Sequence, residues 1–565
     1  MSSITLVVDG RPIEVPEGTP TLLDALRDVA GATSVKDGCS PQGQCGCCTV
    51  LVDGAPRVAC VTPVRRLAGR EITTFDGLDP ERRQAWTDAF LATGASQCGF
   101  CTPGIVCRLE GLAAKAAART PGPPSATASS GPTEPPDEAD RPPAAQLQAP
   151  AVHRALAAHL CRCTGWQTIT EAAVGLGNLE PPRRDAEATA RASFRAVLEG
   201  GTAQAVGADV VAGRAGFAAD TAPADAAVVV PGGDGGWTVA DTLAQARLDF
   251  GKVQGRRSTV SAEPPLAVPE GEWAVRLATS WVEPAYLETD ASWCEPGGEP
   301  ATPLANGGAF GGKLDTRLPD GFEGAADAAR RWADRLGRPV RVVLSREDVV
   351  RYGAKRPPIA AGLNADGTGR VRVGWSGDAD PTPVVDRIAS VLPSAEVEVT
   401  PIPGPPTSPE LREAGWAEAQ ALAVALAGTR PEAVEVTAPE GGRALITAFG
   451  PDGIGVSVSA GAVLDEVVLR SYCIGAGHAA LGWVATEGLA VDDDGEPQDL
   501  TIRSFGILRS ADLPPISITI DDDVAEDPAV PASGAVFAAV AAATWSAAGF
   551  TPAWPLGALP WAARR

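Results

Sequence analysis

The sequence predicts an α+β chain of several domains, and three observations carry this prediction. The chain opens with a strand, a turn, a returning strand and a helix. Helical segments then occupy residues 82–94 and 103–119. From about residue 195 onward, short strands and Gly/Pro turns alternate with a few helices. A length of 565 residues is enough for about three or four such domains.

The first element is a strand pair at the start of the chain. Residues 4–8 alternate as a strand, Asp9-Gly10 is a turn signal, and residues 13–15 return. Residues 21–29 have helical spacing, and Thr21 is placed to cap the N-terminus of that helix. Residues 48–54 read as a strand that ends at the hairpin signal Asp53-Gly54. We therefore expect a β-grasp domain over residues 1–80.

The second domain, over residues 81–180, is predicted to be helical. Pro103 stands at the first turn of the helix 103–119, where proline is well tolerated. Residues 120–149 are rich in proline and polar residues, which predicts an extended or disordered insert. Such an insert is tolerable within one domain because loop-closure entropy grows only logarithmically with length. A helix over 151–160 follows, and a junction is predicted near residues 180–185.

The third region, residues 195–565, is predicted to be mixed α+β or α/β material in more than one lobe. Helices are expected at 324–336 and 533–548, and a strand at 340–344. The apolar run 535–545 is shorter than the ~20 residues that span a bilayer, and we interpret it as a buried helix.

The charge of the chain excludes some classes of partner. The net charge is −23 and the pI about 4.6, whereas nucleic acids and anionic membranes attract basic surfaces. The first ten residues begin as a strand and lack the features of an export signal. We therefore expect a cytoplasmic protein that acts on a small-molecule substrate, with neither nucleic acid nor membrane as a partner.

Eight cysteines form two sets of four, and they carry the strongest chemical signal. In the first set, C-x5-C-x2-C is followed by a fourth cysteine, close to the plant-type ferredoxin spacing. The second set reads CxxC…CxC. Four thiolates are the ligands of a [2Fe–2S] cluster, so we predict two clusters, held by Cys39, Cys45, Cys48 and Cys60 and by Cys98, Cys101, Cys161 and Cys163.

Structural zinc and disulfides are the other interpretations of these cysteines. Structural zinc also takes four cysteines, and CxxC…CxC alone is less diagnostic than the first spacing. Disulfides are disfavoured in a reducing cytosol. Cys47 is then the spare residue of the first loop, a small buried thiol, and Cys107, Cys294 and Cys473 receive the same interpretation.

Three segments resemble the xanthine dehydrogenase/aldehyde oxidase family of molybdenum hydroxylases. They are GCSPQGQCGCCTVLVDG, QCGFCTPGI and LCRCTGW, which begin at Gly38, Gln97 and Leu160. The resemblance covers most of residues 1–178 and implies a β-grasp ferredoxin domain followed by a four-helix domain with the second cluster. One departure is the extra residue between Cys39 and Cys45, where the usual spacing is x4.

The second half resembles a shortened molybdopterin-binding region of the same family. The segment 306–313 matches a glycine-rich Phe-Gly-Gly stretch, flanked in family order by segments at 282–288 and 338–348. Glycines let backbone N–H groups approach a cofactor closely, although a flexible loop is the plainer interpretation. The resemblance implies a molybdopterin (molybdenum) cofactor and assigns cofactor contacts to Gly307, Gly308, Phe310, Gly311 and Gly312. It also implies that Gln97 and Cys163 bridge the pterin and the nearer cluster.

Two departures concern catalysis. Ala479-Ala480 stand where the family has a Gln-Gly pair, and the neighbouring His478 is more simply a core histidine. Residues 528–534 stand where the family has its catalytic Glu, and they contain none, although Glu526 and Asp527 are near. No catalytic residue is therefore assigned. Glu283, Glu288 and Glu487 are alternatives for a displaced base.

These features predict an iron–sulfur oxidoreductase of the molybdenum hydroxylase type. An aldehyde or N-heterocycle would be oxidised at a molybdopterin centre, and electrons would pass through the second cluster and then the first to a flavoprotein or other redox partner subunit. The alternative is an electron-transfer subunit whose degenerate molybdopterin region docks to a separate catalytic subunit. A redox-sensing interaction protein without turnover is a third interpretation.

Overall fold

The computed structural model describes residues 3–118, 146–232, 236–250, 260–304, 312–314, 316–318, 324–521 and 527–562. The strands are β1 Ser3–Val8, β2 Arg11–Pro16, β3 Thr49–Val52, β4 Ala55–Val58, β5 Glu71–Thr73, β6 Ala227–Pro231, β7 Trp237–Ala240, β8 Val275–Thr279, β9 Ala291–Cys294, β10 Val340–Val343, β11 Ile359–Leu363, β12 Gly369–Trp375, β13 Ala395–Pro401, β14 Glu435–Thr437, β15 Arg443–Gly450, β16 Gly453–Ser459, β17 Ile516–Ile520 and β18 Ala553–Trp554.

The helices are α1 Leu22–Asp24, α2 Pro80–Thr93, α3 Thr102–Ala117, α4 Ala149–Leu156, α5 Gln167–Val174, α6 Ala186–Gly200, α7 Ala208–Val211, α8 Ala218–Thr221, α9 Leu243–Phe250, α10 Ala325–Leu336, α11 Arg346–Tyr352, α12 Thr382–Val391, α13 Trp416–Leu426, α14 Glu466–Ala485 and α15 Ser533–Ala547. Among the described residues, no helix has the length and apolar character needed to cross a bilayer.

The N-terminal domain is a mixed five-stranded sheet in the order β2-β1-β5-β3-β4. The turn at Asp9-Gly10 closes the antiparallel pair β1–β2, and β1 runs parallel to β5. The predicted cap is present: Thr21 Oγ1 accepts from the Asp24 N–H, and the Asp24 carboxylate accepts from the Thr21 N–H. A π-helical turn, Ala25–Val29, continues α1. The strand, turn and helix predictions for this domain are confirmed.

The second domain is built from α2, α3, α4 and α5. Asp79 caps the start of α2, and Gly94 ends it in the left-handed conformation (φ 68°). Helix α2 packs on α5, and α4 contacts both α3 and α5. Most of the predicted insert 120–149 lies outside the described residues. These helices place the second cysteine set at the ends of α2 and α4.

The C-terminal region contains three further sheets, in the orders β7-β6-β10-β9, β13-β12-β11-β8-β18 and β14-β15-β16-β17. Strand β10 and helices α10 and α15 lie within one residue of their predicted positions. Several helices after residue 185 were not predicted, among them α6, α12, α13 and α14. Helix α6 begins directly after the predicted junction at 180–185, and α14 is a 20-residue helix buried on almost every side against α15.

The helical domain and the C-terminal region share one hydrophobic core. Residues of α2 and α3 pack in the same cluster as Trp281, Leu287 and Phe505. Phe100, between two cysteines of the second set, meets Phe217 edge to face with ring centres 5.2 Å apart. The C-terminal region is therefore packed directly against the cysteine sets.

Candidate functional site

The first cysteine set gathers in a buried loop between α1 and β3 and in the turn that follows β4. Its members are Cys39, Cys45, Cys48 and Cys60, each at most 5% exposed. The Cys39 thiol contacts those of Cys45 and Cys60, and the Cys60 thiol also contacts Cys48. Hydrogen bonds from Cys45 and Cys60 hold the pKa of Cys39 well below that of an ordinary thiol. The structure therefore brings together the four residues that the spacing predicted.

Backbone N–H groups point at the sulfurs of this set. The Gln42 and Gln44 N–H groups donate to Cys39 Sγ at 3.1 and 3.5 Å, and the Cys60 N–H donates to Cys48 Sγ at 3.4 Å. Such bonds stabilise thiolate charge and tune cluster potential. Gly46 has φ 75°, and a Cβ there would lie 2.5 Å from the His159 ring, so the loop requires glycine at this position.

The second set sits where two helical connections meet. Cys98 and Cys101 lie between α2 and α3, and Cys161 and Cys163 lie between α4 and α5. The Sγ atoms of Cys98 and Cys163 are 3.7 Å apart, and the Cys101 thiol contacts Cys161. The hydrogen bond from Cys101 lowers the pKa of Cys161 to about 6. This set is therefore arranged as two pairs of thiols.

The paired arrangement fits a [2Fe–2S] cluster. Two thiolates on one tetrahedral metal at ~2.3 Å lie roughly 3.7–3.8 Å apart, which matches the Cys98–Cys163 separation. Each iron of such a cluster takes two of the four thiolates. Among the described residues, no three or more His, Cys, Asp or Glu side chains are grouped around one point as a shell for a single ion. The donor set therefore suits a two-iron cluster, which supplies one-electron transfer when bound.

A backbone hydrogen bond connects the two sets. The N–H of Leu160 donates to the Cys45 carbonyl at 2.9 Å, and Leu160 directly precedes Cys161. Cys47 lies nearby, buried against Cys45 and close enough to Cys101 and Cys161 for electrostatic influence. The spare cysteine of the first loop is thus turned toward the second set.

The C-terminal region braces the first loop through Arg346. Its Nη2 donates to the carbonyls of Gly38 and Leu287 at 2.8 and 2.9 Å. Leu287 also lines a cavity beside the second set, together with Glu288 and Lys313. The segments 282–288 and 338–348 therefore meet between the two cysteine sets.

The structure places each alternative for a displaced base in a buried ion pair. Glu283 pairs with Lys355 at 2.9 Å, and Glu288 pairs with Lys313. Glu487 accepts two hydrogen bonds from Arg162, at 2.6 and 2.5 Å. Burial raises the pKa of Glu288 and of Glu487 above the ordinary carboxyl value.

Helix α14 lies beside Gln97 and Cys163, the residues predicted to bridge to a pterin. Gln97 Nε2 donates to the Ser471 carbonyl at 3.2 Å and to Ser471 Oγ at 3.1 Å. A Cβ on Gly475 would lie 2.0 Å from the Cys163 carbonyl oxygen. Protein therefore fills the space next to both residues, and the assignment of pterin contacts to them stays a prediction.

Of the predicted glycine-rich contacts, Gly307, Gly308, Phe310 and Gly311 lie outside the described residues. Gly312 is buried and lines a pocket with Ala479 and Glu487. The remaining polar and aromatic lining is supplied by Arg162, Arg356, Arg412, Trp483 and Phe537. Two segments that the resemblance singled out, far apart in sequence, therefore converge on one cavity.

Arginine and aromatic side chains shape this pocket. Arg356 is held by Glu418 at 2.6 and 2.8 Å and lies over the Trp483 ring at 4.1 Å. Trp483 stacks on Phe537 with ring centres 5.2 Å apart. Arg162 extends into the pocket from between two cysteines of the second set. These guanidinium groups suit the phosphate and oxygen-rich edge of a pterin cofactor.

His478 and Glu199 are two further titratable residues that are buried. His478 is fully buried, with Nε2 3.2 Å from the Leu508 carbonyl oxygen, and burial lowers its pKa to about 4. Glu199 accepts from the Ala532 and Ser533 N–H groups at the start of α15 and pairs with Arg195 at 3.0 Å. The sequence did not indicate a role for Glu199, because the backbone N–H groups that it binds are more than 300 positions away and its Arg195 pair has the spacing of an ordinary ion pair along a helix. Glu526 lies outside the described residues.

Sequence comparisons give the family. Residues 6–65 match the profile of the 2Fe-2S iron-sulfur cluster binding domain, and residues 74–174 match that of the [2Fe-2S] binding domain. The xanthine dehydrogenase iron-sulfur-binding subunit of Escherichia coli O157:H7 is 33% identical over 168 residues, which are 30% of this chain and 89% of that subunit. The chain belongs to the molybdenum hydroxylase family.

Other family members match different shares of the chain. An aldehyde oxidoreductase from Megalodesulfovibrio gigas is 46% identical over 93 residues, which are 16% of this chain but only 10% of that protein. The solved aldehyde oxidoreductase from Desulfovibrio gigas has a TM-score of 0.64 at 14% identity, covering 98% of this chain and 99% of that one. This structural likeness shows the fold. The predictions of the family, its α+β fold and two [2Fe–2S] clusters are confirmed.

Proposed function

We propose that the chain is an oxidoreductase that passes electrons from a substrate site in its C-terminal region through two [2Fe–2S] clusters to a redox partner. The observation that carries this proposal is the pairing of eight buried thiols in two sets, joined by the Leu160–Cys45 hydrogen bond. Electron transfer between two clusters is favoured when a short path of covalent and hydrogen bonds joins them and water is excluded from it. The substrate class we propose is an aldehyde or an N-heterocycle.

We assign the molybdopterin to the pocket lined by Gly312 and Ala479. When bound, a molybdenum cofactor supplies a metal-activated oxygen nucleophile and accepts the electrons of substrate oxidation. Arg162 belongs both to this pocket and to the cavity beside the second cysteine set. Its guanidinium is fixed by Glu487 and by the Pro284 carbonyl at 3.0 Å, so its charge lies between the pocket and the second cluster.

Glu487 is the carboxylate best placed to replace the missing base. It lines the pocket itself, whereas Glu288 lines the cavity beside the second cysteine set. Burial raises the pKa of Glu487, which favours proton uptake, and the bond to Arg162 opposes that uptake. Glu487 would take a proton at Oε1 or Oε2 while Arg162 keeps the carboxylate oriented.

A second function is favoured by one observation, the contact of α14 with Gln97 and Cys163. Since α14 occupies the space next to both residues, the C-terminal region would serve as a scaffold in an electron-transfer subunit. The E. coli relative is itself named as an iron–sulfur-binding subunit. In this function a separate subunit would hold the catalytic metal.

Substitution of Gly312 separates these two functions. Gly312→Leu fills the pocket at a buried position, and Gly18→Leu is the matched control, because a side chain at Gly18 meets open space. For an enzyme, we expect Gly312→Leu to keep about four iron atoms per chain, lose molybdenum and lose cluster reduction by aldehydes. The measurements are metal analysis and visible bleaching of the clusters.

Two other results would point away from this assignment. A wild-type protein with iron but no molybdenum, reduced only when a partner enzyme is added, supports the electron-transfer subunit. Unchanged molybdenum and aldehyde-driven reduction in Gly312→Leu would contradict the assignment of the pocket.

A further inference from the structure

The surface over the first cysteine set has an uncovered apolar centre. Val61, the residue after Cys60, is 58% exposed. It packs over Gly43, an exposed residue of the cysteine loop, at which a Cβ would lie 2.7 Å from Val61 Cγ1. The ligands Cys39, Cys45 and Cys60 belong to the two segments that meet here. Val61 and Gly43 thus lie at the surface, on the two segments that carry three cysteines of the first set.

Arginines of the C-terminal region border this apolar centre on one side. The Arg503 N–H and Nε donate to Gln44 Oε1 and to the Gln44 carbonyl, at 3.2 and 2.9 Å. Arg503 is close enough to Cys39 and Cys45 for electrostatic influence. Arg509, its electrostatic neighbour, is 57% exposed and lies 3.8 Å from Asp512.

Two exposed arginines of the N-terminal domain follow Val61 in the chain. Arg65 and Arg66 follow Val61 within five residues and are both exposed. Residues 54–70 and 500–511 contain no Asp or Glu, and two of the acidic residues that border these ranges, Asp53 and Asp512, pair with Arg70 and Arg509. The chain as a whole has a net charge of −23, so a basic surface at this place departs from the rest of the sequence.

We propose that this surface, the basic exit patch formed by Gly43, Val61, Arg65, Arg66, Arg503 and Arg509, docks an acidic protein that carries a one-electron acceptor. The inference rests on the proposed function, in which electrons leave from the first cluster. One electron passes from the reduced cluster to the acceptor: one Fe(II) becomes Fe(III), the acceptor gains that electron, and no bond forms or breaks. Charge complementarity raises the encounter rate roughly 10–1,000-fold, and the apolar centre provides a desolvated contact.

The test is a charge reversal read out with a protein probe. Dithionite-reduced protein is mixed anaerobically with oxidised cytochrome b5, an acidic one-electron haem protein, and with a small neutral quinone, at several salt concentrations. We expect Arg65→Glu/Arg66→Glu to slow oxidation by cytochrome b5 about tenfold or more at low salt and to leave the quinone rate unchanged. The matched control is Arg330→Glu/Arg331→Glu, another pair of consecutive exposed arginines, on α10.

The outcomes distinguish this proposal from the function on which it rests. Equal cytochrome b5 rates in wild type and Arg65→Glu/Arg66→Glu, or an equal loss in the α10 control, would overturn the basic exit patch and leave the relay intact. A wild-type protein whose reduced clusters are not oxidised by the quinone would instead show that the relay itself fails. A tenfold loss confined to cytochrome b5 and to the patch variant supports the docking site.

Discussion

Two neighbouring cysteines, Cys47 and Cys48, are equally buried but have different partners. The Cys48 thiol contacts Cys60 and accepts the Cys60 N–H at 3.4 Å, as a ligand in the first set would. The Cys47 thiol contacts Cys45 and lies toward the second set. The spacing makes Cys48 a ligand and Cys47 a spare thiol, and in the structure the two residues contact different cysteines.

This difference predicts opposite results for two adjacent substitutions. Cys48→Ala removes a ligand, so we expect it to lose the first cluster, about two of about four iron atoms per chain. Cys47→Ala should keep all the iron, because a methyl group replaces a buried thiol that binds no metal. Iron analysis and EPR of the reduced proteins measure both. Retention of iron in Cys48→Ala with loss in Cys47→Ala would reverse the assignment.

At the scale of elements, α14 is the helix that connects the C-terminal region to the second cysteine set. Its Ser471 receives the Gln97 amide, and its Gly475 lies against the Cys163 carbonyl. From Ser471 onward, helix α14 is buried on every side and mostly apolar, so this part lacks the polar stripe by which a surface helix is recognised. This is why His478 and Ala479-Ala480 were singled out from the sequence although no helix was predicted around them.

Two glycines of α14 allow a matched test of this contact. Gly475→Ala would place a Cβ 2.0 Å from a backbone oxygen, whereas the nearest atom to a Cβ at Gly477 is the end of the Ile516 side chain, at 3.2 Å. Alanine favours helix by about 1 kcal/mol over glycine, so Gly477→Ala should be neutral or stabilising. We expect Gly475→Ala to lower stability by about 1–3 kcal/mol, as overpacking does, and to change the EPR signal of the second cluster.

Anaerobic thermal unfolding and EPR of the dithionite-reduced variants provide the measurements. Identical stabilities and spectra for the two variants would mean that the contact between α14 and Cys163 is not a close one.

At the scale of the whole molecule, contacts within a few residues were predictable and distant ones were not. The cysteine loops, the Thr21 cap and the β1–β2 hairpin depend on neighbours in sequence, so their patterns could be recognised directly. The bond from Gln97 to Ser471 spans 374 positions, and the one from Arg346 to Gly38 spans 308. Such pairs form only when whole domains pack together, and no local sequence pattern indicates them.

The same distant contacts explain how the cysteine sets and the C-terminal region form one unit. Arg346 holds Gly38 of the first loop, and Arg162 of the second set is held by Glu487. Both bonds are buried and charge-assisted. Loss of Arg162 or of Glu487 would leave the other charge buried and uncompensated, whereas loss of Arg346 would leave a buried carbonyl without its donor. The C-terminal region therefore supports both sets, whichever subunit carries the substrate site.

The central claim is that one chain holds two [2Fe–2S] clusters in electronic contact. The measurement that tests it most directly is iron analysis combined with EPR during a stepwise reductive titration of the anaerobically purified protein. We predict about four iron atoms per chain and two EPR signals that account for about two electrons. About two iron atoms with one signal, or zinc in place of iron in either set, would contradict the account.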